Sequence, residues 1–301
     1  MMVRVGTADG LFALDGASRR EVAGHSVTAL SEDWAIFDGE TVVYRTNGSW
    51  RQTFTVRSPE RSLGVHGALL SRSDEAIVGW GSSLMRVFKQ KRFEPMPGFE
   101  TVAGRDDWHA VGSRTPYVRS LTATADGVLL ANVHVGGIPR STDGGATWQP
   151  TIDVDADVHQ VRAHPERSEL VLAAAAVGLC RSDDAGETWT VLTDGLHASY
   201  CRAVATAGDV MFVSASTGPF ADEAAVYRRP VDGDGPLDRC TDGLPDWQPH
   251  NIDTGCLDTD GSRVAFGGAD GVVYISEDAG RTWRVLADGL PPVSAVAIDP
   301  A

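Results

Sequence analysis

One eight-residue pattern is written three times in this chain: Ser141-Thr142-Asp143-Gly144-Gly145-Ala146-Thr147-Trp148, Ser182-Asp183-Asp184-Ala185-Gly186-Glu187-Thr188-Trp189 and Ser276-Glu277-Asp278-Ala279-Gly280-Arg281-Thr282-Trp283. The shared core, Ser-x-Asp-x-Gly-x-Thr-Trp, is the chemistry of a hairpin turn. Ser and Asp side chains accept hydrogen bonds from loop amides that no ladder satisfies. Gly supplies a backbone angle that a Cβ resists, and the β-branched Thr starts the return strand. The Trp brings a large apolar area to bury and an N–H that needs a partner. The carboxylates are therefore assigned to the turn rather than to catalysis.

The spacing fixes the size of the unit. Trp148 and Trp189 stand 41 residues apart, and Trp189 and Trp283 stand 94 apart, so one degenerate unit lies between the last two. It is found by the tails: Leu192-Thr193-Asp194-Gly195-Leu196 and Leu286-Ala287-Asp288-Gly289-Leu290 follow two of the patterns, and Cys240-Thr241-Asp242-Gly243-Leu244 supplies the third tail. Alignment on that tail puts Leu237 in the Trp position and Asp232 in the Asp position, with Pro230 and Pro236 replacing Ser and Thr. Upstream, Tyr44 to Trp50 reads as a shortened turn with Asn47 for Asp, and Met85 to Phe93 keeps only the strand–turn–strand hydrophobicity. Each unit holds four β-rich runs, the composition of a propeller blade. The expectation is an all-β, seven-bladed β-propeller of four-stranded antiparallel blades, forming a single domain over residues 1–301 with no helix required. The blades are placed at 27–55, 63–98, 117–151, 157–193, 200–241 and 249–287, with a seventh made by pairing the C-terminal strand 293–298 with strands from 3–23. Such closure leaves no open sheet edge.

The octapeptides resemble the Asp box, or BNR repeat, of sialidases, sortilin-like receptors and photosystem assembly factors. On that resemblance the turn residues Ser141, Asp143, Gly145, Thr147, Trp148, Ser182, Asp184, Gly186, Thr188, Trp189, Ser276, Asp278, Gly280, Thr282 and Trp283 are structural. The nearest likeness is to uncharacterised seven-bladed sialidase-like proteins, which implies blades but no substrate. Sialidase activity itself is not expected. The family's Arg-Ile-Pro motif has only Ile138-Pro139-Arg140 here, in the wrong order and next to a repeat turn, and no arginine triad is assignable.

Composition narrows the partners. A formal charge of −15 opposes binding to nucleic acid or to an anionic membrane face. Lys89 and Lys91 are the only lysines. An Asp-rich, Lys-poor surface suits concentrated salt, where charge repulsion is screened within about 3 Å at 1 M, so a halophilic host is expected, with a high-GC genome as the alternative. No apolar run reaches signal-peptide or transmembrane length. The four cysteines, Cys180, Cys201, Cys240 and Cys256, lack metal spacing and read as reduced and buried. Together these features predict a cytoplasmic protein, with no cofactor identifiable.

In a propeller the turns between third and fourth strands fall on the face opposite the loops that lead into each first strand. Function is therefore sought at those loops, around the mouth of the central channel. They carry Tyr117-Val118-Arg119, Asp157-Val158-His159, His197 to Arg202 with Tyr200 among them, and His250-Asn251-Ile252-Asp253, and the loop between second and third strands on the same face carries Asn132-Val133-His134. A long connection from Gly98 to Pro116, carrying Asp106-Asp107-Trp108-His109, is placed to cover them, and Ser214 to Ala224 is similarly long. Three readings fit this set. His134, His159, Tyr200, Arg202, His250 and Arg119 can bind a small polar, anionic or sugar-like ligand, with Arg for a carboxylate and Tyr for stacking. His159, oriented by Asp157, can act as a general base with Tyr200 as acid or nucleophile. His134, His159 and His250, with Asp157, can hold a metal. A scaffold that binds a protein partner is the rival from another class; it predicts an exposed apolar patch.

Overall fold

A computed structural model describes residues 2–55, 68–110 and 115–299. The chain forms seven sheets of four antiparallel strands, the blades of a β-propeller. The first sheet uses β1 (Val3–Thr7), β2 (Gly10–Leu14) and β3 (Ser18–Ala23). The second runs β4 (Val27–Leu30), β5 (Trp34–Phe37), β6 (Thr41–Thr46) and β7 (Ser49–Thr55), the third β8 (Leu69–Ser71), β9 (Glu75–Trp80), β10 (Ser83–Phe88) and β11 (Phe93–Pro95). Next come β12 (Tyr117–Ala123), β13 (Leu129–His134), β14 (Pro139–Ser141) and β15 (Gln149–Pro150), then β16 (Val158–Ala163), β17 (Val171–Ala175), β18 (Gly178–Ser182) and β19 (Thr190–Leu192). The last two full sheets are β20 (Tyr200–Ala207), β21 (Val210–Ser216), β22 (Ala224–Pro230) and β23 (Asp238–Arg239), and β24 (Leu257–Asp260), β25 (Arg263–Gly267), β26 (Val273–Ser276) and β27 (Arg284–Ala287).

The final strand, β28 (Val293–Ile298), completes the first sheet by pairing antiparallel with β1, Val3 opposite Ile298 and Val5 opposite Val296. A charged clasp holds this join. Arg4 is fully buried; its guanidinium meets Glu21 at 3.3 Å and also Asp299, one residue past β28. The two carboxylates share the buried Arg4 charge, which would lose its compensation only if both were removed.

One expectation needs correction. The segment 249–256 is loop, so the last full blade begins at Leu257 rather than 249. Apart from the strands, short 3-10 turns occur at Pro97–Thr101, Arg105–Asp107 and Val154–Ala156, within an all-β fold. Residues 63–67 of the expected blade 63–98, and 111–114 of the long connection, lie outside the described residues.

The repeat turns join third to fourth strands, as their composition requires. In the first, Ser141 Oγ donates to Asp143 Oδ1 at 2.8 Å and accepts from the Gly145 amide at 2.9 Å. Asp143 accepts from Thr147 N at 2.9 Å and from Thr147 Oγ1 at 2.7 Å, and the Trp148 indole donates to Gly145 O at 3.1 Å. The same bonds recur around Asp184 and Asp278, and Trp283 repeats the indole bond at 3.2 Å. Trp189 differs, donating instead to Thr151 Oγ1 at 3.1 Å.

The degenerate unit is confirmed by its backbone. The Trp283 amide donates to Asp242 O, and the Leu237 amide donates to Asp194 O, both at 2.9 Å. Leu237 therefore stands where a Trp would, 2 % exposed, and the Asp194 and Asp242 tails each anchor the turn of the following unit.

The chain divides into two compact units, one of Met1–Glu32, Ala174–Leu179 and Val191–Ala301, the other of Asp33–Ala173 and Cys180–Thr190. In the first, Phe212, Phe266, Ile275 and Trp283 pack with β1 and β28 valines. In the second, Phe99, Trp108 and Trp148 pack with Ile77, Leu84 and Leu129, the Phe99 ring edge-on to Trp148 at 5.1 Å. All four cysteines are free and buried. Among the described residues, no helix is long and apolar enough to cross a membrane.

Candidate functional site

In the Asp33–Ala173 unit, two first strands lie side by side, and side chains of one capture the open edge of the other. The Val161 amide of β16 donates to Ser120 Oγ of β12 at 2.9 Å, and the Ala163 amide to Thr122 Oγ1 at 3.0 Å. Asn132 of β13, fully buried, donates from Nδ2 to Val158 O at 2.6 Å while its Oδ1 accepts from Ser120 Oγ at 3.1 Å. Edge groups of a buried strand must find partners, and this network supplies them. It also fixes the backbone on both sides of His159.

The site is built on that frame. His134 ends β13, opposite Tyr117 in register, with the two rings 5.6 Å apart. The 3-10 turn Val154–Ala156, capped by Asp153, whose carboxylate accepts from the Asp155 amide at 2.9 Å, ends at Asp157 in the left-handed region with φ 49. His159 follows as the second residue of β16, wholly buried. The three side chains converge: His134 Nε2 lies 3.2 Å from Asp157 Oδ1, and His159 Nε2 lies 3.6 Å from Asp157 Oδ2. The imidazole rings are 5.5 Å apart and tilted by 35°.

Burial pushes the Asp157 carboxyl upward, but the nearby His134 and His159 outweigh it and hold the group well below the usual carboxylate range. Asp157 is thus an anion at neutral pH. Proximity rather than alignment links it to His134: Oδ1 is buried yet has no hydrogen-bond partner among the described residues. His134 and Asp157 keep 13 % and 24 % side-chain exposure, so the group opens to the surface through them and not through His159.

The long connection covers part of this corner. His109 and Val135 exchange backbone hydrogen bonds at 3.0 and 2.8 Å, and the space where a Gly136 Cβ would sit is 2.9 Å from the Trp108 ring. The site and the repeat turn occupy opposite ends of one sheet: Ser141 pairs with Leu129 at the start of β13, and His134 closes its far end. At about 3.4 Å per residue the separation is roughly 17 Å.

Arg119 is almost fully buried at a β-bulge in β12, between Val118 and Ser120. Arg202 occupies an equivalent bulge in β20. Bulges re-aim side chains, and in the other unit Arg202 is turned onto Asp253, 2.6 Å from Oδ2, and over the Tyr200 ring at 5.3 Å. Burial opposes its charge, but Asp253 outweighs it and raises the Arg202 pKa above its ordinary value. Arg202 and Asn251 also donate to the Pro219 carbonyl, at 3.3 and 3.0 Å, tying down the loop after β21. His250 is exposed on the loop before β24. The expected residues therefore fall into two groups: His134, Asp157, His159 and Arg119 in one unit, and Tyr200, Arg202 and His250 in the other.

No protein-family model matches the chain, and no curated protein matches its sequence. Solved structures share its fold. An ancestral GH74 enzyme is 15 % identical with a TM-score of 0.60, over 91 % of this chain and 37 % of its own. YCF48 bound to a D1 peptide is 12 % identical, TM-score 0.54, over 95 % of this chain and 84 % of its own. The RRP9 WD40 repeats are 15 % identical, TM-score 0.64, over 99 % and 89 %. The chain thus spans little more than a third of the GH74 enzyme. At such identities the likeness is one of fold: propellers that serve as enzymes and propellers that serve as interaction domains.

Proposed function

We propose that this chain is a ligand-binding propeller of the Asp-box class, whose binding locus is the His134–Asp157–His159 group. The observation that carries the reading is the convergence of two imidazole nitrogens and an ionised carboxylate, at the end of the sheet opposite the Ser141 turn. Asn132, Ser120 and Thr122 prepare the group without occupying it. A small polar or ionic ligand fits such donors, and no bond-breaking step is assigned to them. The test is thermal stability against a panel of monosaccharides, carboxylates and divalent ions. At least one compound should raise the melting temperature of the wild type by mass action and fail to do so for His134→Ala. Indifference across the panel would refute the reading.

A second reading, a protein-docking role, is favoured by Phe220, which stands 98 % exposed on the loop held by Arg202 and Asn251. YCF48 was solved with a peptide bound. Phe220→Ser would weaken such docking and leave the panel response intact. We also attribute the acidic, lysine-poor composition to a salt-rich cytoplasm; urea unfolding that gains nothing between low and molar KCl would contradict this.

A further inference from the structure

We infer that the His134–Asp157–His159 group is a binding site for a divalent first-row transition-metal ion, with the two Nε2 atoms and one Asp157 oxygen as protein ligands. The inference deepens the proposed function and rests on its choice of locus. The first argument is geometric. Two ligands held 2.0–2.1 Å from a tetrahedral ion stand about 3.3 Å apart. His134 Nε2 lies 3.2 Å from Asp157 Oδ1 and His159 Nε2 lies 3.6 Å from Oδ2, the other oxygen of the same carboxylate, and one ligand atom from each residue lies within 4.8 Å of the others. Closing the widest gap needs a movement of about 1.5 Å toward a shared ion. His134, the more exposed imidazole, can supply it by rotation, while His159 is held by its strand.

The second argument is polar satisfaction. Asp157 Oδ1 is buried and, although His134 Nε2 stands 3.2 Å away, has no aligned hydrogen bond among the described residues, which leaves a carboxylate oxygen incompletely satisfied. A cation seated between the rings would satisfy it. The third is ligand chemistry. Two imidazoles with one carboxylate suit zinc, iron or cobalt, whereas calcium and magnesium prefer all-oxygen sets. Asn132 and Ser120 would serve as positioning residues, because they fix the strand that carries His159. Three protein ligands leave coordination positions for water or for an oxygen atom of a further ligand.

The experiment uses the full chain, stripped with EDTA and titrated separately with Zn²⁺ and Co²⁺. Calorimetry should report one ion per chain, and Co²⁺ should develop the visible bands of a low-symmetry site. Asp157→Asn and His134→Ala should each weaken binding by about 100-fold or more, while His250→Ala should bind as the wild type does. Mg²⁺ and Ca²⁺ should not compete. Circular dichroism checks that the variants are folded, and His134, being partly exposed, is the safer substitution. Binding that survives both Asp157→Asn and His134→Ala in folded protein would mean adventitious surface coordination and overturn the inference. So would the absence of stoichiometric binding. If metal fails but a sugar or carboxylate stabilises the wild type and not His134→Ala, the metal is wrong and the locus stands. If nothing does, both fall.

Discussion

Gly243 and Gly289 occupy equivalent tail positions and share a left-handed backbone, φ +81 and +72, but their surroundings differ. A Cβ on Gly243 would stand 1.9 Å from the Trp283 carbonyl oxygen and 2.8 Å from its carbonyl carbon; one on Gly289 would meet nothing within 4 Å. Alanine at either site bears the left-handed penalty of about 1–2 kcal/mol, offset by a few tenths to 1 kcal/mol from the less flexible unfolded chain. Only Gly243→Ala also forces two backbone segments apart, an overpacking cost of about 1–3 kcal/mol. The difference between the variants, about 1–3 kcal/mol, corresponds to about 2–6 °C in melting temperature for a domain of this size. Gly195→Ala, whose Cβ would meet Leu237 O at 2.2 Å, should follow Gly243→Ala. Urea unfolding and thermal melts of the three variants read this directly. Equal losses at Gly243 and Gly289 would refute the claim that the Asp242 tail anchors the turn of the next unit.

Three further outcomes are expected. Hydrogen bonds from the Thr147 amide and hydroxyl lower the Asp143 pKa from 3.8 to about 2; those from Thr282 do the same for Asp278, and at Asp184 the bonds from Thr188 overcome an opposing burial effect. Because these folded-state values are depressed, their stabilisation is present above pH 3.8 and lost as pH falls through about 2; the urea midpoint should drop over that window, and less steeply in a triple Asp→Asn variant. Asn132→Ala strands the Val158 carbonyl and should cost about 1–3 kcal/mol, while also weakening ligand binding at His134; a stability loss with unchanged binding would detach the network from the site. Burial raises the Cys180 and Cys240 thiols to about 11, so native protein at pH 8 should resist a thiol reagent and unfolded protein should titrate four thiols.

The fold was legible because its information is local. Ser-x-Asp-x-Gly-x-Thr-Trp satisfies its own turn, so composition alone locates third and fourth strands. Even Leu237 was recoverable, since the Asp-Gly tail keeps its spacing after the turn itself has degraded. The late start of β24 was not legible, because the segment before it is held as loop by Asn251 Nδ2 donating to the distant Gly218 carbonyl and by Asp253 accepting from the adjacent Thr254 amide, bonds that spacing does not announce. The site was half legible. The spacing from Asp157 to His159 shows in sequence, and His134 was a candidate by its position at a loop start. The partition of the candidates between two units depends on packing that spacing does not encode. Asp253 as the partner of Arg202 was missed for the same reason, although it lay in a loop already singled out. Asn132 and Ser120 were missed as candidate positioning residues because a polar residue in the runs Leu129–His134 and Tyr117–Ala123 carries no sign of the strand edge it serves.

The division of labour between braced turns and a working corner is open to direct observation. A crystal grown with whichever probe gives the largest melting shift should place difference density against His134 and Asp157, with the turns around Asp143, Asp184 and Asp278 unchanged. Density resting on those three turn carboxylates instead would contradict the account.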